Sequence, residues 1–341
     1  MLLVMSRFVL VLIFILYSFK NLFSNAIQSE LYTYKNIPIV VKLSTTNRDQ
    51  FLELSKETFD IITNEIYNYS YDTGSYLSRI TESAYKKPTT INNDLKRLLG
   101  KILYYNSLTR SISPTIGYLI DIWGFEKNEF YVPSPSELSN ALKISSTRNL
   151  VISDSSIIIR NKKTKLYLSP FASGIALTKV KELLKKNRIT NGFISIGNNI
   201  SLCLGSKDQQ GWSVGIMNPQ NRVENEVLMT VNVSNLMLYT ADVSENAFVS
   251  GFKSYHSIID PRTGYPADNG TISVSVASED PVEAIILARM FLVMGKSGGM
   301  LFAEKFKIKA IFITVENGKR GIYKSSSWVK TFDRDLTKKQ N

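Results

Sequence analysis

His256, Asp260, Arg262 and Asp268 fall together in residues 256–270, HSIIDPRTGYPADNG, and His256 is the only histidine of 341 residues. An imidazole and two carboxylates can move protons, and a guanidinium can grip a carboxylate or a phosphate with two parallel hydrogen bonds. A second charge stands out further on, where Arg289 interrupts an apolar run. A buried guanidinium left unpaired is strongly unfavourable, so Arg289 requires an anion, either a ligand phosphate or a carboxylate such as Asp260 or Asp268. The loop also has a plainer explanation as a solvated hairpin, because turn residues are polar for backbone reasons.

The elements around these residues must position them. Ile258 and Ile259 precede the loop, and the alternating Ile272, Val274 and Val276 follow it. Asp-Pro, Thr-Gly, Tyr-Pro and Asn-Gly between them are turn signals, which predicts strand, polar loop, strand. Asp280-Pro281-x-Glu283 then opens a helix that is apolar nearly all round, the mark of a buried helix. Earlier, a strand is predicted over residues 34–43 and an amphipathic helix from Asp49. A second amphipathic helix is predicted over 94–105, and a short one over 113–125 begins at Pro114 and ends at Gly124. Ser134 and Glu137 have capping-box spacing. Strand-like pieces follow near Val151, 157–159 and 166–168. A helix over 173–186 comes next, then a hairpin over 193–204 turning at Gly197, strands at 212–216 and 227–233, and a closing hairpin at Asn317-Gly318. Strands and helices mix without a βαβ repeat, so the expected class is α+β, mixed sheets with packed helices.

With 44% hydrophobic and 21% charged residues the composition is that of a globular protein. The net charge of +12 is spread along the chain and accompanies no nucleic-acid motif, so a solvated basic surface is expected and no nucleic-acid partner. One cysteine, Cys203, excludes an intrachain disulfide and a thiolate metal cluster; in its apolar run it reads as a buried inert thiol. Arg7, the apolar residues 8–16 and the small residues 24–26 have the form of an export signal. The expected organisation is a signal peptide or uncleaved anchor over 1–26, one domain over 27–335 and a basic tail over 336–341. That places the domain outside the cytoplasm, periplasmic or held at the inner membrane, with membrane contact only through the N-terminal segment. No cysteine marks a lipoprotein.

Several motifs in order resemble those of the FAD:protein FMN transferases, the ApbE family. DTGSYLSRI over 72–80 is similar to an early family segment, and SPTIGYLIDIWGF over 113–125 is similar to the family's Trp-Gly-Phe segment. WSVGIMNP over 212–219 resembles Trp-x-Val-Gly-Ile-x-x-Pro, and IIDPRTGYP over 258–266 is the sharpest match. The resemblance implies an α+β flavin transferase fold. It also implies binding of FAD with Mg2+ and transfer of FMN to a threonine of a target flavoprotein, releasing AMP. The residues it places at the flavin are Trp123, Gly174, Gly197, Asn199, Thr240, Arg262, Thr263, Gly264 and Arg289, with His256 as the catalytic candidate.

Bland roles compete with these. Trp123 suits a core anchor, Thr240 a strand end, and Asp260 a brace for its own turn.

The chain departs from the family pattern where chemistry is concentrated. Ser173 stands at the family's lysine, Tyr167, Ser169 and Pro170 at its acidic and paired glycine positions, and Asn199 at the acid of Gly-Gly-Asp. Ile285 and Arg289 occupy the positions of an Asp and a Thr that hold the metal one helical turn apart, and isoleucine offers magnesium no oxygen. Ser257 falls on the family histidine, with His256 one place earlier. Two expectations follow: an exported FAD:protein FMN transferase with reduced activity, or a non-catalytic periplasmic descendant that binds flavin or a partner protein.

Overall fold

A computed structural model describes residues 27–205, 210–220 and 226–333. The expected signal segment and basic tail lie outside the described residues. The framework is an eight-stranded sheet whose neighbours follow chain order and are all antiparallel. Its strands are β1 (Ile27–Tyr34), β2 (Ile37–Ser44), β3 (Gly192–Ile196), β4 (Ile200–Leu204), β5 (Met237–Asp242), β6 (Thr271–Ser278), β7 (Lys309–Glu316) and β8 (Lys319–Lys324). Apart from the last helix, the other elements are insertions between these neighbours. Six helices separate β2 from β3: α1 (Arg48–Asn68), α2 (Tyr76–Ser83), α3 (Asn93–Thr109), α4 (Gly117–Trp123), α5 (Pro135–Ile144) and α6 (Ala172–Lys186). The hairpin of Trp212–Met217 with Val227–Val233 follows β4, and a short hairpin of Phe248–Ser250 with Lys253–Tyr255 follows β5. Helix α7 (Pro281–Lys305) joins β6 to β7, and α8 (Ser326–Phe332) closes the described chain. The chain is α+β, as expected.

Alternation along the strands decides which layer each side chain joins. In β5, Met237, Tyr239 and Ala241 enter the core shared with α1, α6 and α7, whereas Leu238 faces the cluster built by Trp212, Val214, Ile216 and Trp328. The sheet is therefore covered by helices on one face and by a hairpin and α8 on the other. Cys203 belongs to the second cluster, and burial pushes its thiol up to about 12, which keeps it unreactive.

Helix α7 is the central buried helix. It is long and apolar enough to cross a membrane, but most of it lies inside the protein. Gly174 of α6 packs against it: a Cβ there would lie 2.9 Å from Cα of Val282 and 3.0 Å from Cδ1 of Ile285. At Gly295 (φ 71°, ψ 170°) α7 leaves helical geometry. The side chain of Asn269 donates to the carbonyls of Leu292 (2.9 Å) and Val293 (3.2 Å), and Thr271 Oγ1 accepts from Lys296 N–H (2.8 Å). The polar loop and the start of β6 thereby clasp the kinked helix, satisfying backbone groups the kink disturbs.

Three sequence expectations change. The single strand at 34–43 is a β1–β2 hairpin, because Lys35 and Asn36 both adopt positive φ (48° and 63°), as a two-residue turn requires. Residues 166–168 form no strand; they are buried against the helical layer and the aromatic cluster. Ile258 and Ile259 are likewise outside any strand, and only an isolated bridge between Ile259 and Pro266 closes the loop.

Candidate functional site

The loop of residues 256–270 is braced mainly by its own groups. Asp260 N–H donates to Tyr265 O (2.8 Å), Gly264 N–H donates to Asp260 O (2.8 Å), and Asp260 Oδ1 accepts the backbone N–H of Arg262 (2.9 Å). The Arg262 guanidinium then grips the same carboxylate through Nε (2.8 Å) and Nη2 (2.8 Å), a bidentate pair. Asp260 is thus the expected turn brace, and Arg262 is already committed to it while remaining exposed. Thr263, also exposed, accepts Tyr265 N–H on its hydroxyl (3.3 Å). Gly264 adopts φ +77°, and a Cβ there would stand 3.0 Å from Cδ2 of Leu119. Its carbonyl accepts from Trp123 Nε1 at 2.9 Å.

Trp123 is 0% exposed and packs among Phe125, Phe248, Tyr255 and Tyr265. This packing is that of the core anchor weighed against a flavin contact: Trp123 supports the loop from beneath. Gly124 in the αL conformation (φ 74°) ends α4 immediately after it.

His256 is not presented as a base. One ring nitrogen, Nε2, lies 2.9 Å from the Ala267 carbonyl, and the other, Nδ1, accepts Ile258 N–H (3.2 Å), so the neutral Nε2–H tautomer ties the two sides of the loop. Ser257 takes a different partner: its N–H and Oγ both donate to the Glu245 carbonyl, each at 3.2 Å. Neither residue lies in a strand, so strict alternation does not govern them. Burial lowers the His256 pKa from its ordinary 6.5, and the Ala267 contact and nearby Glu245 only partly oppose this. A depressed folded pKa means that the unfolded chain binds the extra proton first. Stability is therefore full above 6.5 and declines as pH falls through the folded value. Urea unfolding from pH 7.5 down to 5 should show this decline, and His256→Gln should flatten it; an unchanged slope would show that other groups cause it.

The second charge lies on α7, beside the loop. Arg289 is buried, and its Nη1 donates to Glu245 Oε1 at 2.5 Å; the side-chain exposures are 7% for Arg289 and 28% for Glu245. The expected partners were Asp260 and Asp268, but Asp260 holds Arg262 and Asp268 pairs with Lys253 (2.8 Å) at the surface. Glu245 reaches the site because a turn after β5 folds back beside α7, where Asn246 Nδ2 also donates to Phe125 O (2.7 Å). Burial works against the charge on Arg289. The Glu245 carboxylate, with Tyr239 and Tyr167 beside it, more than offsets this, and the guanidinium stays protonated. Tyr239 OH lies 3.5 Å from the other Glu245 oxygen, and burial raises the phenol pKa of both tyrosines. Arg289 also lines a small cavity with Ser111, Ser113, Tyr167 and Pro261.

The remaining candidates are dispersed. Gly174 serves the α6–α7 contact. Gly197 (φ +59°) turns β3 into β4, its N–H on Pro38 O (2.8 Å), and the Asn199 carbonyl receives Thr240 N–H (2.9 Å). Thr240 pairs its hydroxyl with Ser275 (2.7 Å). By alternation it shares the Leu238 face of β5, opposite the face that Tyr239 turns toward α7. The structure therefore brings Tyr167, Tyr239, Glu245 and Arg289 together and leaves Thr240 behind the sheet. Glu245 was missed by sequence reasoning; its one signal was a carboxylate just beyond the strand that must neighbour the buried helix.

Magnesium does not fit the positions where the resemblance puts its ligands. Ile285 is 0% exposed, packed toward Gly174, and Arg289 presents a cation already paired with the nearest carboxylate. Among the described residues no group of three or more His, Cys, Asp or Glu side chains is placed to hold a metal ion.

Comparisons with known proteins agree with this architecture. The ApbE family profile matches residues 29–312. A FAD:protein FMN transferase of Vibrio cholerae is 27% identical over 262 residues, 76% of this chain and 78% of that protein. One of Treponema pallidum is 25% identical over 257 residues, 70% of each. Among solved structures, the ApbE protein of Thermotoga maritima superposes with a TM-score of 0.78 at 22% identity, covering 89% of this chain and 98% of that one. The flavin transferase ApbE from Vibrio cholerae gives 0.77 at 24% identity, covering 90% and 99%. With its profile matched over residues 29–312 and its fold shared over about nine-tenths of its length, the chain belongs to the ApbE family.

Proposed function

We propose that this chain binds FAD, the substrate in the names of its relatives, and does so without magnesium and without the metal-assisted release of AMP. The observation that carries this reading is the buried Arg289–Glu245 pair on the α7 face that would otherwise have to present oxygen ligands. Attack of a hydroxyl on a diphosphate needs its negative charge neutralised and a base for the proton. Here the metal positions are Ile285 and Arg289, the lysine position is Ser173, and His256 has both ring nitrogens engaged by backbone. Export from the cytoplasm is part of the same proposal, and the apolar residues 8–16 of the sequence support it.

A second reading, transfer of FMN to a threonine of a target flavoprotein, is favoured by the intact loop of residues 260–264. The two separate in one assay. The full chain is mixed with FAD, Mg2+ and an acceptor domain of an established flavin transferase, and AMP and covalent flavin are measured. The proposal predicts neither product above the background without the chain; AMP released in step with covalent flavin would establish the transferase instead.

A further inference from the structure

Arginine carries five N–H donors in a planar fork. In Arg289 one carboxylate oxygen, Glu245 Oε1, accepts from Nη1, and among the described residues no second carboxylate pairs with it. Around the same guanidinium stand Tyr167 and Tyr239, and the cavity it lines adds the hydroxyl-bearing residues Ser111 and Ser113. Hydroxyls can donate as well as accept, so together with the guanidinium N–H groups they can serve an anion.

The two partners of the ion pair are held unequally. Arg289 is fixed on a core helix at 7% side-chain exposure, whereas Glu245 sits in a turn after β5 at 28%. When the pair opens, the carboxylate can be solvated by a rotation of its own side chain. The guanidinium then stays behind as a buried charge that requires a new anion.

We propose that Glu245 is a resident stand-in anion, and that a phosphate of a bound nucleotide displaces its carboxylate and is held by Arg289 directly. The inference rests on the FAD reading for the identity of the nucleotide, but its chemistry is that of any diphosphate. Guanidinium matches phosphate oxygens with two parallel hydrogen bonds, and Tyr167 and Tyr239 supply further donors beside it. Magnesium bound to the diphosphate competes for the same oxygens, so the cation opposes binding.

Calorimetric titrations of the full chain in EDTA test this with FAD, riboflavin and inorganic pyrophosphate, on the wild type, Glu245→Gln and Arg289→Met. Removing the competing carboxylate in Glu245→Gln should tighten FAD and pyrophosphate by about tenfold and leave riboflavin, which has no phosphate, unchanged. Arg289→Met should weaken FAD by at least as much, again sparing riboflavin. A pair with only a structural role would give no gain in Glu245→Gln, and FAD affinity that is unchanged or weaker there overturns the proposal. If pyrophosphate alone binds and tightens in Glu245→Gln, the anion site stands and the flavin reading falls. If neither ligand binds any form, both fall. Should Glu245→Gln prove too unstable, Glu245→Asp, which draws the carboxylate back, reads the same comparison.

Discussion

Glu245→Ala is expected to lower the unfolding free energy by about 3 kcal/mol, more than Arg289→Met, although the two residues form one ion pair. The difference comes from what each change leaves behind. Without Glu245, a guanidinium at 7% exposure has no carboxylate; without Arg289, a carboxylate at 28% exposure can turn toward water. Breaking a buried pair typically costs about 3–5 kcal/mol, and the partial exposure of Glu245 sets the lower end of that range here. The Arg289→Met loss should be about 1–2 kcal/mol, since a half-solvated carboxylate is a smaller burden than a buried cation. Combining Glu245→Ala with Arg289→Met removes both charges, so the double variant should recover most of the Glu245→Ala loss. Urea unfolding of the four forms gives the coupling directly; losses that simply add would mean that the pair contributes nothing as a pair.

Trp123→Ala should cost about 4 kcal/mol, in the range for large aromatic-to-alanine changes at buried positions. The indole is 0% exposed, lies within 6.4 Å, centroid to centroid, of four aromatic neighbours, and donates to Gly264 O. Its loss opens a cavity beneath the loop and orphans that carbonyl in one step. Trp123→Phe keeps most of the packing but not the donor, so it should lose about 1–2 kcal/mol. Because the ring supports the loop without reaching a ligand, FAD affinity should fall in Trp123→Ala only as far as the loop loses order, and Trp123→Phe should bind nearly as the wild type does. A large affinity loss in Trp123→Phe at little stability cost would instead point to a direct role of the indole.

Much of the fold was legible because local signals agreed with tertiary packing. Ser134 caps the helix that follows it, Gly124 ends α4 in the left-handed conformation, and the apolar run after Asp280 is the buried helix it suggested. Strand β1 was not legible: Gln28, Ser29 and Glu30 give it a polar surface, and its place comes from pairing with β2 at the sheet edge. Residues 166–168 failed for the opposite reason, since an apolar triplet can be buried without a ladder to join.

At the site, the sequence exposed the substitutions at Ile285 and Arg289 but not what Arg289 does with its charge. The answer lies 44 residues earlier at Glu245, in a turn whose return toward α7 is a property of the assembled sheet. Nor does composition distinguish a lone histidine that braces a loop from one that reacts. That distinction needed the Ala267 carbonyl and the Ile258 N–H, both backbone groups with no sequence signature.

On the proposed function, this ApbE-family chain holds FAD with its own cation instead of a metal. Titration of the full chain with FAD, once in EDTA and once in millimolar Mg2+, tests it most directly. The account predicts binding in EDTA that magnesium leaves unchanged or weakens. Binding that appears only with magnesium would contradict it and return Ile285 and Arg289 to the periphery of a metal site built from other residues.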